Sequence, residues 1–397
     1  MNTPDAPYGY GAQVPAARDA RAARDTRGAR LAAHGAVGTA LSLLSDRRLA
    51  EVVAGATPLG SGVGGRSAEL DVEGTRVFVK RVPLTDLELR PEHLHSTANL
   101  FELPLFYQYG IGSSGFGAWR ELAAHTMTTN WVIGDGDAYA GFPLLYHWRV
   151  LPDSSPDGFL DEFGGLDKAV AHWDGSPAVR RRLEAIGGST AGLFLFLEYV
   201  PQTLGTWLAD RRTAAPPESG AEVDSEVAAD SEVSPYAWVE DALTRGADFM
   251  SARGLVHFDA HFRNVLTDGR LIYFADFGLA LSSRFELTPP EADFLTDHLS
   301  YDRCYTTTHL LRHHLLDGER DNAEHARFLR DWAAGRRPAY VRAEAAALLD
   351  RHVRSALVLG DFFRRLLGES KRTPFPKSEI ERTDPSKGPK RKVVGES

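Results

Sequence analysis

A single cysteine, Cys304, stands in 397 residues, so no disulfide can close within the chain and its folding needs no oxidising compartment. Lysine is almost as scarce. Of 45 basic side chains only seven are lysine, and five of those lie at or after Lys371, leaving Lys80 and Lys168 before the tail. Long apolar runs are missing too: the nearest, Leu193 to Leu197, is ended by Glu198, far short of the roughly 18 residues a membrane span needs. The net charge is −9, which argues against a general nucleic-acid or membrane surface, since both select a basic face. An N-terminal stretch interrupted by Asp19 and Asp25 makes a poor signal peptide, so a reducing cytoplasm is the expected setting.

What the chain does contain is ordinary for a folded protein: 43% hydrophobic, 25% charged and 10% aromatic residues. Its length suits one two-lobed enzyme or two modest domains. Arginines at 18, 21, 24, 27 and 30 mark no apolar face, so residues 1–30 read as a flexible Arg/Ala-rich arm. An amphipathic helix is expected from Leu41 to Val53, followed by strand, Gly-rich turn, strand, tight turn and strand through Val82. Two apolar runs, Phe142 to Leu145 and Leu193 to Leu197, extend that sheet, with a helix over Trp119 to Trp131 before them. Residues 31–200 thus form a smaller sheet-bearing lobe with insertions.

Residues 201–367 read as mainly helical, with helices over Tyr236 to Arg253, Pro289 to Leu316, Asn322 to Ala334 and Val341 to Leu367. The acidic near-repeat within 214–234 buries too little apolar surface to order itself and is expected to be a disordered insertion. Residues 368–397 read as a flexible basic tail. The fold class is α+β.

The chemistry concentrates in Leu255-Val-His-Phe-Asp-Ala-His-Phe-Arg-Asn-Val-Leu266 and Leu271-Ile-Tyr-Phe-Ala-Asp-Phe-Gly278. Between them Asp268-Gly269 is a strong hairpin signal. Folding the hairpin brings Asn264, at the entry of one strand, near Asp276, at the exit of the other. With Asp259 five residues upstream, amide and carboxylates make an oxygen-rich cluster suited to a nucleotide-bound magnesium, which prefers few protein oxygens plus phosphate and water.

These residues resemble the protein-kinase-like superfamily, which includes protein kinases and the aminoglycoside and choline phosphotransferases. The match is an H-x-D-x-x-x-x-N loop at His257, Asp259 and Asn264 and a D-F-G at Asp276, Phe277 and Gly278. Upstream, Gly60-Ser61-Gly62-Val63-Gly64-Gly65 fits G-x-G-x-x-G, and Lys80 sits in Val77-Phe-Val-Lys where V-A-I-K is found. The Gly-rich segment runs from strand to strand, whereas a dinucleotide-binding turn runs from strand into helix. Each piece alone has a bland reading, as a surface turn, an edge charge or a loop cap; their joint occurrence in order carries the resemblance, over roughly residues 55–367.

The resemblance implies a two-lobed kinase-like fold and an ATP- and Mg²⁺-dependent transfer of the γ-phosphate to a hydroxyl. It implies that residues 60–65 cover the phosphates, that Lys80 contacts them, that Glu198 and Val200 in Leu197-Glu-Tyr-Val-Pro201 form a nucleotide-binding hinge, and that Asn264 and Asp276 hold magnesium. Asp259 is then the base. Glu121 is the expected partner of Lys80, with Glu92 and Glu102 as competitors; His257 supports its loop by hydrogen bonding; Arg263 either contacts acceptor or transferred phosphate or faces solvent.

The chain also departs from the pattern. Phe258 replaces the arginine that protein kinases carry before the aspartate, and Pro289-Pro-Glu291 reads better as a helix start than as an A-P-E. His261 is similar to antibiotic phosphotransferases, whereas the hinge and Phe277 lean toward Ser or Thr of a polypeptide. Three readings stay open: a protein Ser/Thr kinase-like activity, a small-molecule phosphotransferase, and, least favoured, a nucleotide-binding scaffold.

Overall fold

The first three strands are β1 (Thr57–Gly62), β2 (Gly65–Val72) and β3 (Thr75–Leu84), of which β3 carries the β-branched and aromatic run, Val77, Phe78, Val79 and Val82. Glu73 and Gly74, with φ of 52° and 80°, make the two-residue turn between β2 and β3. With β4 (Leu145–Pro152) and β5 (Ala191–Glu198) they build an antiparallel sheet in the order β1-β2-β3-β5-β4. The computed structural model describes residues 17–62, 65–134, 139–155, 158–214, 234–315 and 320–384, and among these it holds twelve α-helices.

Side-chain alternation gives the sheet two apolar faces. Val77, Val79, Phe194 and Phe196 point to one face, where Val37 and Leu41 of α1 (Ala17–Ser42) and Leu49 and Val53 of α2 (Asp46–Ala54) join the same core. Val82, Leu84, Leu193 and Leu195 point to the other, against Trp119 and Leu122 of α3 (Ala118–Gly134). Lys80 lies in register with Val82 and so faces α3.

Helix α1 corrects the expected arm at 1–30: it begins at Ala17, and Arg30 within it is buried. The three-residue arginine period hides this, because the apolar anchors come later, at Val37 and Leu41. The helix expected from Leu41 to Val53 is instead two, since Ser45 caps α2 by accepting from Arg48 N. Strand β4 starts at Leu145, the last residue of the apolar run from Phe142, and continues through the charged Arg149.

Two insertions pack together beside the sheet. The segment between β3 and α3 supplies Phe101, Tyr107 and Phe116, which cluster with Trp173 and Leu183 from around α4 (Leu166–His172) and α5 (Pro177–Gly187). Arg182 and Glu88 form a fully buried ion pair of 2.8 Å between them.

The second half opens with β6 (Gln202–Thr203), α6 (Leu204–Ala214), α7 (Pro235–Ala252), β7 (Leu255–Val256), β8 (Val265–Thr267), β9 (Ile272–Phe274) and β10 (Leu281–Ser282). It closes with α8 (Pro289–His298), α9 (Tyr301–His313), α10 (Asn322–Ala333), α11 (Ala343–Gly368) and α12 (Lys377–Thr383). The β8–β9 hairpin forms as expected: Asp268 Oδ1 accepts from Arg270 N and Leu271 N, and Gly269 takes the left-handed φ of 84°. Pro289 indeed starts a helix, with Thr288 and Glu291 closing a capping box, but that helix ends at His298 rather than near residue 316.

The expected flexible tail differs as well. Lys371, Thr373 and Ile380 are buried and Phe375 stacks on His298, because the apolar Phe375 and Ile380 dock the segment on α11. The acidic segment expected at 214–234 lies outside the described residues between 215 and 233, as does the tail beyond 384. No described helix is long and apolar enough to cross a membrane.

Candidate functional site

Three segments far apart in sequence meet at Lys80. Its Nζ lies 2.7 Å from Glu121 Oε1 on α3 and 2.6 Å from Asp276 Oδ1 just beyond β9. Glu121 is therefore the partner of Lys80, while Glu92 and Glu102 are exposed. Asp276 holds a left-handed φ of 62°, an uncommon conformation for a non-glycine residue, and its Oδ1 also accepts from Gly278 N at 3.4 Å.

The loop from His257 to Asn264 is fixed from beneath by Asp302 of α9. This buried carboxylate accepts from His257 N at 2.6 Å and Phe258 N at 3.0 Å. Phe258 has φ 64° and turns its ring into a cluster with Tyr109, Phe294 and Tyr301. A carboxylate that satisfies two consecutive amides can hold such a strained residue in place. His257 Nε2 lies 2.9 Å from Ala275 O and so carries the proton, which leaves Nδ1 to accept from Asp259 N at 3.2 Å. Burial holds this imidazole neutral, its pKa lowered to about 4.

Asn264 Nδ2 donates to Asp259 at its backbone O (3.1 Å) and at Oδ2 (3.0 Å), and Asn264 O accepts from Ala275 N at 2.9 Å. The bond from Ala275 N ties Asn264 to the residue before Asp276, so the hairpin brings the amide and the carboxylate together. Among the described residues Asn264 Oδ1 takes no hydrogen bond, and with the Asp276 carboxylate it offers the small set of oxygens that suits a phosphate-bound magnesium. No described group of three or more His, Cys, Asp or Glu side chains could hold a metal by itself.

Two carboxylates share one ammonium here, and their proton affinities split. Burial pushes Glu121 up to about 7, against the pull of Lys80. Burial acts the same way on Asp276, but the Lys80 ammonium outweighs it and brings that carboxyl down to about 2. Asp259 is raised to about 7 by burial and then by the negative charge of Asp276. His125, one turn along α3 from Glu121, is fully buried, neither ring nitrogen has a hydrogen-bond partner among the described residues, and burial lowers it to about 3.

A cleft of about 670 Å³ runs from β1 and the start of β2 to the site, lined by Gly60, Gly65, Lys80, Glu198, Val200 and Asp276. Arg263 and Asn264 reach both this cleft and a smaller cavity of about 340 Å³ that includes Asp259. Ser61 and Gly62 end β1, and Val63 and Gly64 lie outside the described residues. The Glu198 carboxylate is committed elsewhere: it takes two bonds from Arg30 and one from Leu144 N at 3.1 Å.

Sequence reasoning missed Arg30, His125 and Asp302, and also the glycines of residues 110–117. The backbone of Gly110 packs so closely on the Asp259 carboxylate that a Cβ there would collide with it. The recurrence of glycine at 110, 112, 115 and 117 was the available signal. No protein-family model matches this chain, and no curated protein matches it.

Proposed function

We propose that this chain is an ATP- and Mg²⁺-dependent phosphotransferase of two-lobed, kinase-like fold that moves the γ-phosphate to a hydroxyl acceptor. The observation that carries the reading is the convergence of Lys80, Glu121 and Asp276 from three distant segments, beside Asp259 and Asn264, at the end of a cleft of about 670 Å³. That volume suits a nucleotide.

In this reading Glu121 holds Lys80 where its ammonium meets the phosphates, and the amides of the β1–β2 turn cover them. Asn264 and Asp276 hold magnesium, which when bound neutralises phosphate charge. Asp259 orients the acceptor hydroxyl and takes its proton as the new oxygen–phosphorus bond forms and ADP departs. A carboxyl near pKa 7 is matched to that task. The scaffold alternative has less behind it, because Lys80, Glu121, Asp259, Asn264 and Asp276 stand together beside the cleft.

Calorimetry of Mg·ATP on the full chain tests the reading. Binding should weaken without metal and fall at least tenfold in Asp276→Ala. An Asp276→Ala variant that binds Mg·ATP as tightly as the parent would sink the metal assignment, and absence of binding to the parent would sink the whole reading.

A further inference from the structure

A second and larger cavity, about 810 Å³, lies between α9, α10 and α11. Its walls are largely apolar, with Leu329, Ala356, Leu359 and Phe363 among them. Two buried ring nitrogens in its wall, Nδ1 of His309 and Nε2 of His325, have no hydrogen-bond partner among the described residues, and His325 is only 6% exposed. Buried polar atoms are rarely left unpaired, so these point to a ligand with polar groups of its own. Burial keeps both imidazoles uncharged, His325 at about 4 and His309 at about 2.

The charges around the cavity are mainly positive. Asp361 is the one acidic residue among its described lining, and Arg364 pairs with it at 2.8 Å. Arg312 and Arg330 have no carboxylate partner among the described residues, and the side chain of Arg312 instead donates to Asn322. A polycation would find nothing complementary here.

The cavity also adjoins the proposed base. Gly110, which packs on the Asp259 carboxylate, lines it. The His309 ring is 6.5 Å from that of His261, whose Nε2 is 3.7 Å from Asp259 Oδ1. The Tyr305 hydroxyl in the same wall is pushed up by burial and then by the charge of Asp259.

We infer that this cavity holds the body of the acceptor, and that the acceptor is a compact small molecule with an apolar body, a hydroxyl that reaches past Gly110 to Asp259 in the adjoining smaller cavity and an anionic group toward Arg312 and Arg330. The inference rests on the phosphotransferase reading above and favours its small-molecule branch over a polypeptide, because a largely apolar cavity of about 810 Å³ between helices suits a compact ligand. The acceptor oxygen forms its bond to the γ-phosphorus as the bond to the β–γ bridging oxygen breaks. ADP leaves with that electron pair, and the hydroxyl proton passes to Asp259.

The test uses the full chain, with 1-anilinonaphthalene-8-sulfonate as an apolar anionic probe and Mg·ATP measured in parallel. Ala326→Trp fills the cavity from α10, and Ala323→Trp, at an exposed position on its rim, serves if the first does not fold. The parent should bind one probe molecule, and each variant should bind it at least tenfold more weakly while Mg·ATP affinity stays within twofold. Transfer from ATP should favour cyclic hydroxy acids over an aminoglycoside panel and a Ser/Thr peptide pool, and should fall in the same variants. Mg·ATP binding together with unchanged probe binding in both variants, or with transfer only to aminoglycosides or peptides, overturns the acceptor inference alone. Absence of Mg·ATP binding overturns the phosphotransferase reading, and the acceptor role with it.

Discussion

Arg30 and Glu198, 168 residues apart, face each other through two parallel hydrogen bonds of 2.7 Å, Nε to Oε1 and Nη2 to Oε2. The same guanidinium donates to Ala140 O and Phe142 O, so one side chain of α1 fixes the end of β5 and the approach to β4. Both partners are largely buried, at 7% and 12% exposed. Removing one member of a buried pair strands the other, at a cost of about 3–5 kcal/mol. Arg30→Ala should lower the melting temperature and weaken Mg·ATP binding, and Arg30→Lys should not restore either, since an ammonium cannot make the two-pronged contact. A melting temperature unchanged in Arg30→Ala would show that α1 merely rests on the sheet.

Asp259→Asn keeps the shape of the side chain and removes its basicity. Loss of a general base costs roughly 10²- to 10⁴-fold in rate. Turnover on whichever acceptor is found should fall in that range, while Mg·ATP affinity stays within a few-fold. Turnover within a few-fold of the parent would leave Asp259 as a loop cap.

The raised carboxyl of Asp259 fixes the sign of two pH effects. Below about 7 it is protonated and cannot act as a base, so kcat/KM should decline as pH falls through that value. Stability runs the other way. A carboxyl raised from 3.8 to about 7 contributes stability that is full below the unfolded value and is lost as pH rises through the folded one. Asp259→Asn should therefore gain stability relative to the parent between about pH 5 and pH 8 in denaturant unfolding. A kcat/KM flat down to about pH 5, or no relative gain, contradicts the assignment.

Gly110→Ala adds one methyl group against the Asp259 carboxylate. Small misplacements of a reacting group can cost roughly 10²-fold. Turnover should drop by at least tenfold with circular dichroism and Mg·ATP affinity nearly unchanged; full activity would mean that the carboxylate has room to move.

Lys80→Arg keeps the positive charge but replaces a compact ammonium with a broad planar group in a site already filled by two carboxylates. Steady-state assays should register at least a tenfold loss of turnover, and parent-like turnover would remove Lys80 from the mechanism.

The parts of this structure that could be read in advance are those with a short-range cause. Asp268-Gly269 specifies its own hairpin through the Asp268 side chain, and that hairpin sets Asn264 beside Asp276. Alternation in Arg76 to Val82 fixes the face on which Lys80 lies. The hidden parts depend on distant partners. Arg30 looks like one more solvated arginine until Glu198 is brought to it, and Asp302 looks like an ordinary first-turn acid of α9 until two amides from another loop reach it. The segment between β3 and α3 has no periodicity, and glycine spacing alone does not say that its backbone will press on a carboxylate.

Neighbouring residues of α3 bind in opposite directions: Glu121 holds Lys80 of the sheet, while Arg120 holds Glu291 of α8 at 2.7 Å, both ends of that second pair only 2% exposed. The helix is thus a crossbar pinned at both sides. Swinging it outward would break two buried ion pairs in one movement, so any switch acting on this site has to work by another route and leave the crossbar where it is.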